Sequence, residues 1–88
     1  MDKLPFSELE KRLSDATEFI SPGSRWLHYK GNEYIVIDAV IIEATNEVGL
    51  LYRPLKHPTV TFLRPLVVWQ EVVEFEGKKM NRFRRLGD

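Results

Sequence analysis

Near residue 21, the spacing of the hydrophobic positions changes from a helical period to an alternating one. Before that point, apolar side chains recur three or four residues apart, as on a helix with one apolar face. They are Leu9, Leu13, Ala16 and Ile20. Ser7 and Glu10 have the spacing of a capping box, and Ser21-Pro22-Gly23 interrupts the pattern. We therefore predict one helix over residues 7–20.

From Arg25 onward, short apolar or alternating runs are separated by turn residues, a pattern typical of strands. We predict six strands, at about residues 26–29, 33–42, 48–53, 60–64, 71–75 and 79–84. Residues 66–69 are predicted to form either a short strand or a single helical turn. We expect Ile35, Ile37, Leu51 and Val73 to be buried, since alternate strand residues face the same side.

Two tight turns are predicted. Gly31-Asn32 suits a two-residue hairpin turn, which would place Lys30 and Glu33 opposite each other as a charge pair. Glu76-Gly77 suits a second two-residue turn. Residues 44–47 are predicted to form a further turn between two strands.

The 88 residues suffice for one small core. We predict an N-terminal helix and linker over residues 1–21 and a mainly β domain over residues 22–88. Five or six antiparallel strands would close into a small barrel, because closure removes the exposed sheet edges. The helix stripe must also pack on something, since a helix this short is marginal in water. We expect it to dock on its own barrel, with a homodimer through Leu9, Leu13, Ala16 and Ile20 as the alternative.

The amino-acid composition argues against several classes of function. The 13 basic and 13 acidic residues cancel, so no net charge draws the protein to nucleic acid or to an anionic membrane. The absence of cysteine excludes disulfides and thiol catalysis and suits a cytoplasmic protein. The start of the chain lacks the apolar stretch of a signal peptide. The longest apolar run, Ala39 to Ile42, is far shorter than the roughly 20 residues that span a bilayer.

Residues 22–83 resemble a family of small bacterial domains of unknown function. The resemblance rests on three segments in the same order: His28-Tyr29-Lys30-Gly31-Asn32, then Arg64-Pro65-Leu66 with Trp69 and Glu71, then Arg82-Phe83. It implies an SH3-like roll and no assigned activity. Members usually carry a polar Arg-His-Ser-Glu-Thr run after the second strand, where this chain has Ile41-Ile42-Glu43-Ala44-Thr45. Any chemistry of that run would depend on residues that this chain lacks.

Catalytic and metal-binding chemistry has little support in the sequence. A metal site would need both histidines, His28 and His57, with carboxylates such as Asp38 or Glu43, and their spacing fits no known ligand motif. The four serines lie in or just after the predicted helix, without a nucleophile elbow or a Gly-rich phosphate loop. We therefore expect a non-catalytic protein without metal or cofactor.

A set of aromatic and arginine side chains is the best candidate for a binding site. We predict that Tyr29, Tyr52, Arg53, Arg64 and Trp69 contribute to one concave surface. Aromatic rings combine apolar area with a polar tip, and arginine holds a carboxylate or phosphate with two hydrogen bonds. The sequence thus favours a module that binds a small ligand or a protein partner.

Two other functions stay open. The basic residues near the C-terminus could contact the phosphates of a single-stranded nucleic acid; they are Lys78, Lys79, Arg82, Arg84 and Arg85. Cross-strand pairing with Glu71, Glu74 and Glu76 would neutralise much of that charge. A small enzyme relying on His28, Arg53 and Arg64 is the other alternative.

Overall fold

The computed structural model describes residues 4–87. It contains a helix α1 at Phe6–Phe19, the strands β1 at Arg25–His28, β2 at Glu33–Ile42, β3 at Glu47–Pro54 and β4 at Phe62–Pro65, a helical turn α2 at Leu66–Trp69, and the strands β5 at Val72–Phe75, β6 at Lys78–Asn81 and β7 at Phe83–Gly87. The predicted mainly β chain with one N-terminal helix is confirmed. The sequence predicted either a short strand or a helical turn for residues 66–69, and the structure has the helical turn.

The strands form one large sheet and one separate hairpin. The large sheet has the order β4-β3-β2-β1-β7, and β5 pairs with β6. Every pairing among these strands is antiparallel. The expected closed barrel is wrong, because β4 and β7 lie at opposite edges of the large sheet and do not pair.

The predicted last strand is in fact two strands that separate at Arg82. The Arg82 N–H donates to the Glu71 carbonyl at 3.0 Å, and the Arg82 carbonyl accepts from the Tyr29 N–H at 2.9 Å. The backbone therefore leaves the hairpin at this residue. It continues as β7, whose Phe83 pairs with His28 of β1.

The first hairpin turn lies one to two residues earlier than predicted. The His28 carbonyl accepts from the Gly31 N–H at 2.7 Å, and the His28 N–H donates to the Asn32 carbonyl at 2.8 Å. Residues 29–31 thus form a three-residue hairpin loop. Its last residue, Gly31, has a positive φ of 107°, as is usual at that position. The Lys30–Glu33 pair is not formed; the Lys30 ammonium lies 5.8 Å from the Tyr29 ring centre instead.

The second tight turn is confirmed at Glu76-Gly77. Phe75 pairs directly with Lys78, so two residues connect the strands. Both of them have positive φ, 52° at Glu76 and 79° at Gly77, as a type I′ turn requires. Glycine adopts this conformation without steric cost, which makes the second turn position suitable for it.

The buried face of the large sheet is the opposite of the one expected. Val36, Leu50 and Tyr52 are buried, whereas each of the four predicted core residues is only half-buried; these are Ile35, Ile37, Leu51 and Val73. A bulge between Val36 and Asp38 keeps Ala39 on the same side as Val36. We call the side that carries Val36, Leu50 and Tyr52 the inner face and the opposite side the outer face.

Helix α1 covers part of the inner face. Ala16 and Ile20 are buried in the same apolar cluster as Val36 and Leu50, and Leu13 packs against it. The helix stripe thus docks on its own sheet, as expected. The predicted capping box is not formed: Pro5 precedes the helix, and its carbonyl accepts from the N–H groups of Glu8 and Leu9.

Candidate functional site

Four aromatic rings form the centre of the inner face. Phe83 stacks on Trp69 with ring centres 3.7 Å apart, and Tyr52 meets both rings edge-on. Tyr34 meets Tyr52 edge-on at 5.3 Å. We call these four side chains the aromatic cluster. Its rings come from β2, β3, α2 and β7, so the whole fold is needed to assemble it.

Arg64 lies against the aromatic cluster. Its Nε donates to the Tyr52 hydroxyl at 3.0 Å, and its guanidinium carbon is 5.6 Å from the Phe83 ring centre. The side chain is half-buried, and no carboxylate of residues 4–87 forms an ion pair with it. Because the Nε position is already occupied, the two terminal NH₂ groups are the donors left for an anion.

His28 lies beside Phe83, with ring centres 5.0 Å apart, and its Nδ1 accepts from the Lys30 N–H at 3.2 Å. Partial burial lowers the pKa of the His28 imidazole below its ordinary value of 6.5, and the positive charges of Arg64, Arg82 and Lys30 lower it further. The imidazole is therefore neutral near pH 7. The charges of Arg64 and Lys30 make this end of the sheet favourable for an anion.

A groove of about 550 Å³ runs between the first hairpin and the loop that follows β3. Its walls include Tyr34, Phe62, Pro54 and His57. The Tyr52 ring contacts both Tyr34 and Phe62, and its hydroxyl accepts from Arg64. Tyr52 thus joins the groove, which Glu33 and Lys56 also line, to the guanidinium. This volume lies in the usual range for small-molecule sites, about 300–1,000 Å³.

Of the five predicted site residues, the structure brings three together. Tyr52 and Trp69 belong to the aromatic cluster, and Arg64 lies against it. Tyr29 lies to one side of the cluster, between His28 and Phe75. Arg53 follows Tyr52 on the same strand and projects from the outer face, where its Nε donates to the Thr61 hydroxyl at 2.9 Å. The single surface expected for all five is therefore not formed.

Three members of the site were missing from the predicted set: His28, Tyr34 and Phe83. Tyr34 shares its strand face with Val36, which pairs with Tyr52, but alternation alone did not indicate that this face is the buried one. Phe83 had no signal in its local pattern, since the last predicted strand gave no sign that it leaves the hairpin. The proposed enzyme trio is also divided, with His28 and Arg64 on the inner face and Arg53 on the outer one.

Two residues of the basic C-terminal set are engaged in contacts within the chain. Arg82 forms an ion pair with Glu71 at 3.2 Å and also donates to the Val68 carbonyl. Arg85 donates to the Phe19 carbonyl and the Ser21 hydroxyl, and its guanidinium lies 5.8 Å from the Trp26 ring centre. These contacts reduce the positive charge and the number of donors available for phosphates.

Residues 41–45 occupy the place of the polar Arg-His-Ser-Glu-Thr run described above. They form the end of β2 and the start of the turn that follows it. Ile41 packs against the core, and Ile42 lies 3.1 Å from the position that a Gly49 Cβ would occupy. Glu43, Ala44 and Thr45 are exposed. The two isoleucines thus have packing roles in this chain.

The described part of the chain, residues 4–87, contains no group of three or more His, Asp or Glu side chains placed to hold a metal ion. None of its helices is long and apolar enough to cross a membrane.

Comparison with known proteins identifies the family. The model of the family described as "Protein of unknown function (DUF1653)" matches residues 24–85, well over half of the chain. The chain belongs to the DUF1653 family. The predicted membership of a family of unknown function is thereby confirmed.

A solved structure of the family supports the fold. The chain is similar to the crystal structure of a DUF1653 protein from Bordetella bronchiseptica, with a TM-score of 0.68 and 28% sequence identity. The similarity covers 81% of this chain and 92% of that protein. Among curated proteins, none matches the chain.

The lowered pKa of His28 predicts a pH-dependent stability. Below about pH 6.5 the unfolded chain takes up a proton at His28 that the folded chain resists, so the free energy of unfolding should fall. Urea unfolding between pH 7.5 and pH 5.5 should show a smaller fall in His28→Gln than in the wild type. His57→Gln, at an exposed position, is the matched control. An equal fall in the free energy of unfolding for His28→Gln and the wild type would contradict the prediction.

Proposed function

We propose that this chain is a non-catalytic binding module, built on an SH3-like roll, for a small ligand that carries a carboxylate or phosphate group. The proposal depends on the environment of the Arg64 side chain. Its guanidinium is half-buried, held through Nε by Tyr52 and unpaired with any carboxylate of residues 4–87. A partly buried charge without an acidic partner is costly, and an anionic ligand would remove that cost.

The surroundings of Arg64 favour a ligand with an apolar part next to its anionic group. The fixed Nε leaves the terminal NH₂ groups to bind two oxygens of the ligand. Tyr34 and Phe62 would then contact the apolar part in the groove, since Tyr52 joins both rings to Arg64. An arginine already held in place loses little conformational entropy when it binds, which strengthens the interaction.

Benzoate and inorganic phosphate are suitable probes for this site. Titration followed by amide NMR should shift the resonances of residues near Arg64 and Phe83. Arg64→Ala should weaken the binding of benzoate about tenfold or more, because a hydrogen bond to a charged group contributes about 1.5–3 kcal/mol. Arg64→Lys should recover only part of the affinity, since lysine lacks the planar pair of donors.

Arg53→Ala is the matched control, because it removes the same side chain from the adjacent strand on the outer face. Its affinity for benzoate should equal that of the wild type. The proposal fails if Arg53→Ala and Arg64→Ala weaken binding equally, or if neither probe shifts the resonances around Arg64. Comparison of benzoate with phosphate indicates which anionic group the site prefers.

The other two functions have weaker support. A nucleic-acid site would depend on a basic set of which Arg82 and Arg85 already make contacts within the chain. An enzyme based on His28, Arg53 and Arg64 would need residues from both faces of the sheet. We therefore keep binding without catalysis as the proposed function.

A further inference from the structure

The imidazole of His28 and the guanidinium of Arg64 lie against the same aromatic ring. The ring centres of His28 and Phe83 are 5.0 Å apart, and the Arg64 guanidinium carbon is 5.6 Å from the Phe83 ring centre. The two groups are therefore at most about 11 Å apart, which is the sum of these distances. Because Phe83 is buried and both groups are half-buried, water screens the interaction between their charges only in part.

The hydrogen bond from Lys30 determines where the neutral His28 ring carries its proton. The Lys30 N–H donates to Nδ1 at 3.2 Å, so Nδ1 presents its lone pair and the proton of the neutral ring lies on Nε2. A second proton must bind at Nδ1, where it displaces the Lys30 N–H. Protonation of His28 therefore changes a contact of the hairpin loop formed by residues 29–31.

Positive charge surrounds His28. Burial lowers the pKa of its imidazole most, and the charges of Arg64, Arg82 and Lys30, in that order, lower it further. Arg82 already has a carboxylate partner in Glu71, at 3.2 Å. Arg64 has none among residues 4–87, so an imidazolium at His28 would meet the full charge of this guanidinium.

No carboxylate of residues 4–87 offsets this repulsion by an ion pair with His28. Arg84 and Glu33 both lie opposite Leu27, the residue before His28, so alternation places their side chains on the outer face. The side chains that pack on the imidazole are the rings of Tyr29, Tyr34 and Phe83. An anion bound at Arg64 would therefore supply the missing negative charge.

We propose that an anion bound at Arg64 and a proton on His28 stabilise each other, so that the site binds anionic ligands more tightly in mildly acidic solution. This inference rests on the proposed ligand site at Arg64. The anion would cancel the repulsion between the guanidinium and the imidazolium. By linkage, the proton would strengthen the binding of the anion by the same factor, about threefold for charges at this separation. The gain is absent where the imidazole is neutral and grows as the pH falls through the pKa of His28.

Titration of the His28 ring protons by NMR, with and without saturating benzoate, tests the proposal. Benzoate stays ionised between pH 7.5 and pH 5.5, so changes in this range come from the protein. Bound benzoate should raise the proton affinity of His28 about threefold, and the affinity for benzoate should rise on acidification. The amide resonance of Lys30 should follow the same titration curve, because a proton at Nδ1 displaces this N–H.

Three variants separate the coupling from other effects of pH. Arg64→Ala should raise the proton affinity of His28 in the free chain, and added benzoate should then leave that affinity unchanged. Arg53→Ala, on the outer face, is the matched control and should keep both wild-type values. His28→Gln should show no rise in affinity for benzoate between pH 7.5 and pH 5.5. A rise retained in His28→Gln would assign the linked proton to another group, such as His57 in the groove, and would overturn the proposal.

The same spectra distinguish failure of the coupling from failure of the ligand site. If benzoate shifts the amide resonances near Arg64 but leaves the titration of His28 unchanged, the coupling is wrong and the proposed ligand site stands. If benzoate changes neither, both are wrong.

Discussion

Replacement of Trp69 with alanine should lower the free energy of unfolding by about 3–5 kcal/mol. Trp69 is 2% exposed, stacks on Phe83 at 3.7 Å and meets Tyr52 edge-on at 5.1 Å. Its loss would leave a cavity between α2 and the sheet. Small domains have total stabilities of only about 5–15 kcal/mol, so the variant should be partly unfolded at moderate urea concentrations. Urea unfolding followed by far-UV circular dichroism measures the change.

Trp26→Ala is the matched control for this prediction. Trp26 is half-buried, contacts Trp69 at one edge and donates its Nε1 proton to the Ser24 hydroxyl. We expect Trp26→Ala to lower the free energy of unfolding by less than Trp69→Ala does, because Trp26 buries less apolar area on folding. Trp69→Phe should recover most of the stability, since the Trp69 Nε1 donates to no acceptor in residues 4–87. Equal costs for the two alanine variants would contradict the role assigned to Trp69.

Leu50→Ala should lower the free energy of unfolding by about 2–5 kcal/mol, and Leu51→Ala should lower it much less. The two residues are adjacent on β3, but Leu50 is 0% exposed on the inner face and Leu51 is half-buried on the outer face. The pair therefore tests the register of the strand with a single type of substitution. Equal or reversed costs would show that the buried face is misassigned.

Most elements that depend on local sequence were predicted well, the exceptions being the Gly31-Asn32 turn and the capping box. The helix, observed at Phe6–Phe19, was expected over 7–20 from the spacing of its apolar residues. Strand β2 has the predicted bounds, Glu33–Ile42, because turn residues flank a long β-branched run. The Glu76-Gly77 turn was predicted because only certain residues adopt two successive positive φ angles readily.

The choice of face could not be made locally. Tyr34, Ile35, Val36 and Ile37 are all apolar or aromatic, so alternation gives two equivalent sets and does not indicate which one is buried. The side on which α1 and α2 pack makes that choice. Arg53, by contrast, could have been excluded from the predicted site, since one step along β3 moves a side chain from the Tyr52 side to the opposite side.

The sequence by itself determined the class of fold, the N-terminal helix and most strand positions. These follow from spacing, turn chemistry and side-chain chemistry, which act over a few residues. Only the tertiary structure decided that the sheet stays open, that the backbone turns away at Arg82, and that Tyr52, Arg64 and Trp69 meet. Each of these outcomes depends on hydrogen bonds and packing between residues far apart in the chain, and local patterns carry no record of such contacts.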